Sequence, residues 1–526
     1  MTENIAVTPE ALTRTVQDFL NEATGAVVFE DGAVAFDLSR SKYSISGEYN
    51  KCLLHLWSGE RNTVRRVLDA ELKNGTLRLA VQRLGQSRPS KLEICRQHDR
   101  RSPSAKRAAR IAYEPRLRHA LERHFPGFTI PRLTTRVDLE KSFGPIYTRG
   151  LVRQGQSGFA VLGVNGREIQ ASIDAALTFG ILWMDVCRQA QAGKVLIEGL
   201  NLVVPADSSK LIRERMANLN RAAAKWRLFE LDERDGAMVE IDCADRGNVA
   251  TRLVHAPEEE TAMERFEESI GTMRTLLPNC EVSVLSAAEI AFRWRGLEFA
   301  RARMTTEPGS FRSVQEIVFG VGAEERVLEQ RNESLFRELV AALRDARHPY
   351  GPRQHRLWRL HPERWLESLV VGDVSLVDES LESATTYSQL PAFSASDRAM
   401  IDVLATTREG RLAVIELKAD EDIHLPLQGL DYWSRVEWHN ARGEFTRFGY
   451  FAGHELSAEK PLLFLVAPAF HVHPATDVLL RYINPEIEWE FVGIDERWRE
   501  GVKVVFRKRP ERGTKRGFEL PTAAAI

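Results

Sequence analysis

One pattern is written twice in this chain, and two stretches that share a pattern must be satisfied by one fold. The first copy runs Leu202-Val203-Val204-Pro205, then Met216-Ala217-Asn218-Leu219-Asn220, then Lys225-Trp226-Arg227-Leu228-Phe229-Glu230-Leu231-Asp232-Glu233-Arg234. The second runs Leu465-Val466-Ala467-Pro468, then Leu480-Arg481-Tyr482-Ile483-Asn484, then Glu488-Trp489-Glu490-Phe491-Val492-Gly493-Ile494-Asp495-Glu496-Arg497. The Pro-to-Trp and Trp-to-Asp spacings agree, which implies an internal duplication. Apolar strand-like runs alternate with helical ones in both copies, so the fold class expected is mixed α/β.

Upstream of the second copy lies the stretch richest in chemistry, Ile401 to Lys418. It reads as a hairpin: an apolar run to Ala405, a polar turn through Arg408-Glu409-Gly410, and a second run, Leu412 to Leu417. Alternate side chains of a strand share a face, so Glu416 and Lys418 project together, toward Asp402, while Ala413, Ile415 and Leu417 turn the other way. Two carboxylates beside an ammonium suit a hard divalent cation held through oxygen ligands, with Lys418 orienting water or offsetting charge. A lone Glu-x-Lys on a strand is more often a solvated face. An amphipathic helix precedes the hairpin, with Pro362 at its first position and Trp365, Leu366, Leu369 and Val370 on one side. Gln428 and Tyr432 sit one turn apart on the helical segment that follows.

In this order, these elements resemble the PD-(D/E)xK nuclease superfamily, in its NucS-like and RecB-like branch, over about the last third of the chain. The resemblance implies a restriction-endonuclease-like α-β-β-β-α-β core and hydrolysis of DNA phosphodiester bonds with Mg²⁺ or Mn²⁺. Asp402 and Glu416 would ligate the cation, helped by the Leu417 carbonyl, and Lys418 would position the attacking water. Glu363 takes the place of the family's first-helix glutamate, with Glu367 its rival, one facing the metal and the other solvent. Gln428 and Tyr432 would orient the site or touch the substrate backbone. Asp420-Glu421-Asp422 are better read as a loop before the Gln428 helix than as ligands. His471-Val472-His473 has a zinc-like spacing but no third ligand nearby.

The duplication then makes the middle of the chain a second core of the same kind without acids. Aligned backwards from the shared pattern, Phe159 to Asn165 falls on Leu412 to Lys418. That sets Gly163 at Glu416, Asn165 at Lys418 and Arg149 at Asp402. The helix at Arg116 to Phe125 replaces the Glu363 helix, and Ile173 to Val186 replaces the Gln428 helix. Such a copy binds no cation, but Arg149 is a candidate phosphate grip.

Length and charge set the remaining bounds. At 526 residues the chain is too long for one core. The expected division is a mainly β domain over 1–103, the acid-free copy over 104–245, an α/β connector or oligomerisation module over 246–352, the nuclease domain over 353–510 and a basic tail over 511–526. The connector leaves a homodimer open. Net charge is −2, so contact with a polyanion must come from local patches. Arginines crowd 82–126, and Arg100, Arg101, Lys106 and Arg107 there are candidate nucleic-acid contacts, as are Arg356 and Arg359 ahead of the Glu363 helix. Arg61, Arg65, Arg66, Lys73 and Arg78 decorate hairpins of the first domain, as a second phosphate-facing surface or as a solvated basic sheet face.

Five scattered cysteines without C-x-x-C spacing fit a reducing cytoplasm. No apolar run reaches membrane-span length, and the first residues lack a secretory signal pattern. Nothing supplies an activated Ser-His or Cys-His nucleophile, a P-loop or a dinucleotide fingerprint. Within the connector, Ala287 to Trp294 reads as helical, as does 324–347, and 348–352 reads as a hinge. The expected partner is DNA, in repair or in defence against foreign DNA. The alternative is a non-catalytic nucleic-acid-binding or assembly protein built on two nuclease-like scaffolds.

Overall fold

The computed structural model describes residues 3–4, 8–23, 26–30, 33–38, 41–47, 51–57, 62–73, 76–83, 89–95, 103–138, 143–244, 251–306, 313–322, 325–394 and 398–510. It is mixed α/β, and the chain separates into two compact units, Met1–Ala217 with Arg221–Arg246 and Asn218–Asn220 with Gly247–Ile526. Among the described residues no helix is long and apolar enough to cross a membrane.

The first unit opens on the helix Pro9–Glu22, started by Pro9 and by the Thr8 hydroxyl, which accepts from the Ala11 amide. Its buried stripe, Leu12, Val16, Phe19 and Leu20, packs on an antiparallel sheet whose central strands are Asn62–Lys73, Thr76–Arg83 and Ser90–Cys95. Hairpins pair Val27–Glu30 with Ala33–Asp37 and Asn62–Lys73 with Thr76–Arg83, while Asp31, Gly32, Asn74 and Gly75 lie outside the described residues. Two residues of the basic outer face expected here, Arg65 and Arg78, are taken up by acids of the same sheet. Arg65 is 6% exposed and donates to both carboxylate oxygens of Glu30, at 2.8 and 3.0 Å. Arg78 lies 3.2 Å from the buried Glu93. A guanidinium buried in a sheet needs an internal partner, and Arg65 has found one.

A second sheet of this unit runs Thr129–Thr134, Tyr147–Gln154, Ser157–Val164, Leu196–Pro205, Lys225–Leu231, Met238–Ile241 in chain order. The helix Pro103–His124, longer than the expected Arg116 to Phe125, precedes it, and Ala176–Ala190 joins its third and fourth strands.

In the second unit, Glu281–Ser286, Glu289–Trp294, Leu297–Thr306, Ser313–Phe319 and Arg326–Val327 form an antiparallel sheet. It shares a core with the helices Glu259–Arg265, Glu267–Leu276 and Glu333–Ala346. Two expectations fail here. Ala287 to Trp294 is a turn and a strand, because pairing on both sides and the burial of Ile290 and Phe292 override its helical composition. The long helix starts only at Glu333. Residues 348–352 are no free hinge either. Arg347, wholly buried, donates to the carbonyls of Trp294, Arg295, Leu357, Leu360 and His361, which ties the connector to the segment that follows. Gly296 reinforces the seam: a Cβ there would fall 1.8 Å from the Arg364 carbonyl oxygen.

The last sheet has the order Thr251–Arg252, Leu381–Ser394, Arg398–Thr407, Leu412–Leu417, Leu462–Pro468, Trp489–Ile494, Val504–Lys508. Apart from the short edge strand at 251, its pairings repeat those of the six-stranded sheet: antiparallel twice, parallel twice, then antiparallel. The helices fall at the same points, with Pro362–Gly372 ahead and Leu425–Asn440 between the third and fourth of the shared strands. The duplication read from spacing is therefore also a duplication of topology.

The register corrects the alignment by one residue. Leu162 pairs with Leu202 where Glu416 pairs with Leu465, and Leu202 and Leu465 are equivalent in the repeat. Leu162 thus stands at Glu416 and Val164 at Lys418, not Gly163 and Asn165. Side-chain direction agrees. A Cβ on Gly163 would meet Tyr113 and Leu117 of the preceding helix, just as Leu417 faces the core holding Trp365 and Leu366. Arg149 keeps its assigned place, because it pairs with Leu162 as Asp402 stands opposite Glu416, one step beyond the Val403–Ile415 pair.

Candidate active site

The hairpin that carries the acids is held by its turn and its apolar face. Gly410 takes φ 76°, and a Cβ there would lie 2.0 Å from the Glu455 carbonyl oxygen, so only glycine fits. Val403, Ala405, Ala413, Ile415 and Leu417 enter one core with Trp365 and Leu366. Each such side chain, once fully buried, contributes about 1.5–3 kcal/mol if it is the size of valine or larger. Fixing that face fixes its opposite, and there Asp402 and Glu416 converge.

Glu416 is 2% exposed; its Oε1 accepts from Lys418 Nζ at 3.2 Å, and its Oε2 is buried without a donor. Asp402 Oδ2 accepts from the Leu417 amide at 3.0 Å, and strand register sets Asp402 opposite Glu416. Lys418 Nζ also lies 3.9 Å from Glu363 Oε1. Three acids and one ammonium, distant in sequence, are thus gathered at one end of the hairpin. The helix Leu425–Asn440 closes over Glu416, since a Cβ on Gly429 would lie 3.6 Å from that of Glu416. Gln428 Oε1 is a second buried acceptor without a partner. The contact seen at Leu417 is its amide on Asp402.

The electrostatics point to a deficit of positive charge. Burial pushes Glu416 well above the usual carboxylate range, and neighbouring Asp402 adds to it, against the pull of Lys418. Asp402 is raised by burial despite the Leu417 amide and Lys418. Burial raises Glu363 as well, with Lys418 opposing. For Lys418 burial works to lower the value, but Glu416, Glu363 and Asp402 outweigh it and hold the ammonium above its ordinary value. The Tyr432 phenol is raised by burial and then by the charges of Glu416 and Asp402. One ammonium does not balance three acids of which Glu416 is cut off from water, and groups perturbed in this way mark candidate functional centres.

The two glutamates of the preceding helix do not divide as expected. Glu363 is half-exposed and reaches Lys418, whereas Glu367 is 5% exposed and faces no solvent. Arg364 donates to Glu367 at 3.1 Å and Gln389 Nε2 donates to the same oxygen at 2.7 Å. Gln389 also reaches Asp402 Oδ1, at 3.4 Å. It went unread in the sequence. The available signal was a lone amide in the apolar run before the hairpin, a residue that can be buried only if it finds partners.

The remaining candidates scatter. Arg149 is 2% exposed, donates to the carbonyls of Gly144 and Arg136, and lies over the rings of Phe143 and Trp183. It fills the acid-free copy from within and offers nothing to an external phosphate. Arg356 and Arg359 are exposed on a short helix ahead of the Glu363 helix. Arg100 and Arg101 lie outside the described residues, as do the side chains of Lys106 and Arg107. Of the other arginines in that basic stretch, Arg110 is bound to Glu168 and Arg116 to Glu233. His471 sits 3.7 Å from Asp420 and 3.5 Å from Glu496, and His473 sits 3.7 Å from Glu421. Among the described residues no group of three or more His, Cys, Asp or Glu side chains could hold a metal ion. The donor set on offer here is the facing pair Asp402 and Glu416. No family model, curated protein or solved structure matches the chain.

Proposed function

We propose that this chain is a Mg²⁺- or Mn²⁺-dependent nuclease that hydrolyses DNA phosphodiester bonds, with a restriction-endonuclease-like core of PD-(D/E)xK type in its last third. The observation that carries the reading is the facing pair of a half-buried Asp402 and a buried Glu416, with one Glu416 oxygen lacking any donor. Burying two carboxyls together is costly unless a cation joins them or a proton is retained. The residues fit a small hard cation: Asp402 and Glu416 would hold it, and the helix next to Glu416 carries a further oxygen without a partner, that of Gln428. Bound there, it supplies Lewis-acid polarisation of the phosphoryl group and a more acidic water.

The chain's own residues do the rest. Lys418, held by Glu416 and Glu363, donates to the attacking water and offsets charge that develops on the phosphoryl oxygens. The Leu417 amide keeps Asp402 turned inward. Tyr432 and Gln428, one turn apart on the covering helix, orient the reacting group. Arg356 and Arg359 contact the substrate backbone from the surface.

The test is cleavage of labelled DNA. We expect cutting with Mg²⁺ or Mn²⁺ that stops with chelator and falls by at least ~10³-fold in Glu416→Ala and Lys418→Ala, while DNA retention persists. The second reading, a non-catalytic nucleic-acid-binding or assembly protein, is favoured by the lack of a three-donor cluster among the described residues and by the acid-free copy. Salt-sensitive retention without cutting, indifferent to both substitutions, would establish it.

A further inference from the structure

We infer that Gln389 is a positioning residue that sets the Asp402 carboxylate for cation binding by tethering it to Glu367; this rests on the proposed nuclease reading. Gln389 lies on the strand Leu381–Ser394, between the pairs Ser388–Val403 and Leu390–Ile401, which places it directly opposite Asp402. It is almost fully buried. Its amide nitrogen donates to Glu367 Oε2 at 2.7 Å and to Asp402 Oδ1 at 3.4 Å. Glu367 Oε2 already accepts from Arg364, so the nitrogen end of the amide is the one that meets it.

The backbone adds an independent sign. Gln389 has φ 53°, in the left-handed region, in the middle of a strand whose neighbours on both sides are paired. A side chain without special purpose would not be kept there, because glutamine resists this conformation and glycine accepts it freely. Such strain persists where the surroundings over-determine it, and it clusters at functional sites. The left-handed turn aims the amide at the two carboxyls. Asp402 is then gripped from both sides, Oδ2 by the Leu417 amide and Oδ1 by Gln389, which leaves it one orientation toward Glu416. Glu367, fixed in turn by Arg364, anchors the tether to the Glu363 helix. Outer partners of this kind typically change metal affinity by ~10–100-fold.

Two variants of the full chain separate positioning from mere packing. Gln389→Gly removes the tether and relieves the left-handed strain, and Gln389→Met removes the donors while keeping bulk. Calorimetric titration with Mn²⁺ should show both variants ~10–100-fold weaker than the parent. The melting temperature of Gln389→Gly should equal or exceed that of the parent, and on DNA its kcat should drop with KM unchanged. Parent-like Mn²⁺ affinity in Gln389→Gly would overturn the inference while leaving the nuclease reading intact. A parent chain that binds no Mn²⁺ and cuts no DNA would overturn both.

Discussion

At the scale of single residues, the site is defined by charges that cannot all be expressed in one dry place. Glu367 shows it best. Burial pushes its carboxyl up to about 8, against the pull of Arg364. An unfolded glutamate titrates near 4.5, so between that pH and about 8 the folded chain keeps a proton that the unfolded chain has released. Stability from this group is complete below the lower value and is lost as pH rises through the upper one. At ~1.4 kcal/mol per unit the loss amounts to a few kcal/mol. Urea unfolding in chelator should therefore show the parent losing stability from pH 5 to 8, with the slope flattened in Glu367→Gln. Equal slopes would mean that Glu367 is ionised in the fold. Asp402, Glu416 and Lys418 were legible because the alternation of a strand dictates which side chains share a face. Gln389 was not, because its role depends on a backbone angle and on a carboxyl from a helix elsewhere in the chain.

At the scale of elements, apolar runs and turn residues carried most of the information. The hairpin over Ile401 to Lys418, its turn at Gly410 and the helix with Pro362 at its first position all stand where their patterns put them. Gly410→Ala should cost about 1–3 kcal/mol from backbone conformation alone. The clash with the Glu455 carbonyl adds to that, as a fall in the urea midpoint would record. Ala287 to Trp294 went the other way. Its composition favours a helix, but strands on both sides offer its backbone partners and Phe292 a core, and those long-range gains exceed a propensity of a few tenths of a kcal/mol per residue. Residues 348–352 misled for a similar reason. Gly and Pro are flexible or kinked signals locally, whereas the Arg347 guanidinium that fixes the neighbouring carbonyls is visible only in three dimensions.

At the scale of the whole molecule, one topology is built twice and the facing acids are kept in one copy. Leu162 and Arg149 stand where Glu416 and Asp402 stand, so the six-stranded copy has an apolar side chain and an internal guanidinium in place of two acids. Arg149, over Phe143 and Trp183, supplies positive charge from the chain itself at that point. If the seven-stranded copy is the only cation site, Glu416→Ala should abolish Mn²⁺ binding by the full chain in calorimetry. Residual binding of comparable affinity would place a second site elsewhere. Arg149→Met, by contrast, should leave both binding and cutting at parent levels, with its effect confined to stability.

Sequence alone determined the repeat, the strand faces and the order of acids, lysine and covering helix, because periodicity and spacing are local properties that any fold of this chain must respect. Tertiary structure decided the rest. It moved the repeat alignment by one residue through inter-strand pairing, turned Arg65 and Arg149 inward to internal partners, and brought Gln389 and Glu367 to Asp402. Which polar groups meet is set by packing between distant segments, and burial then fixes how strongly each one must be paired.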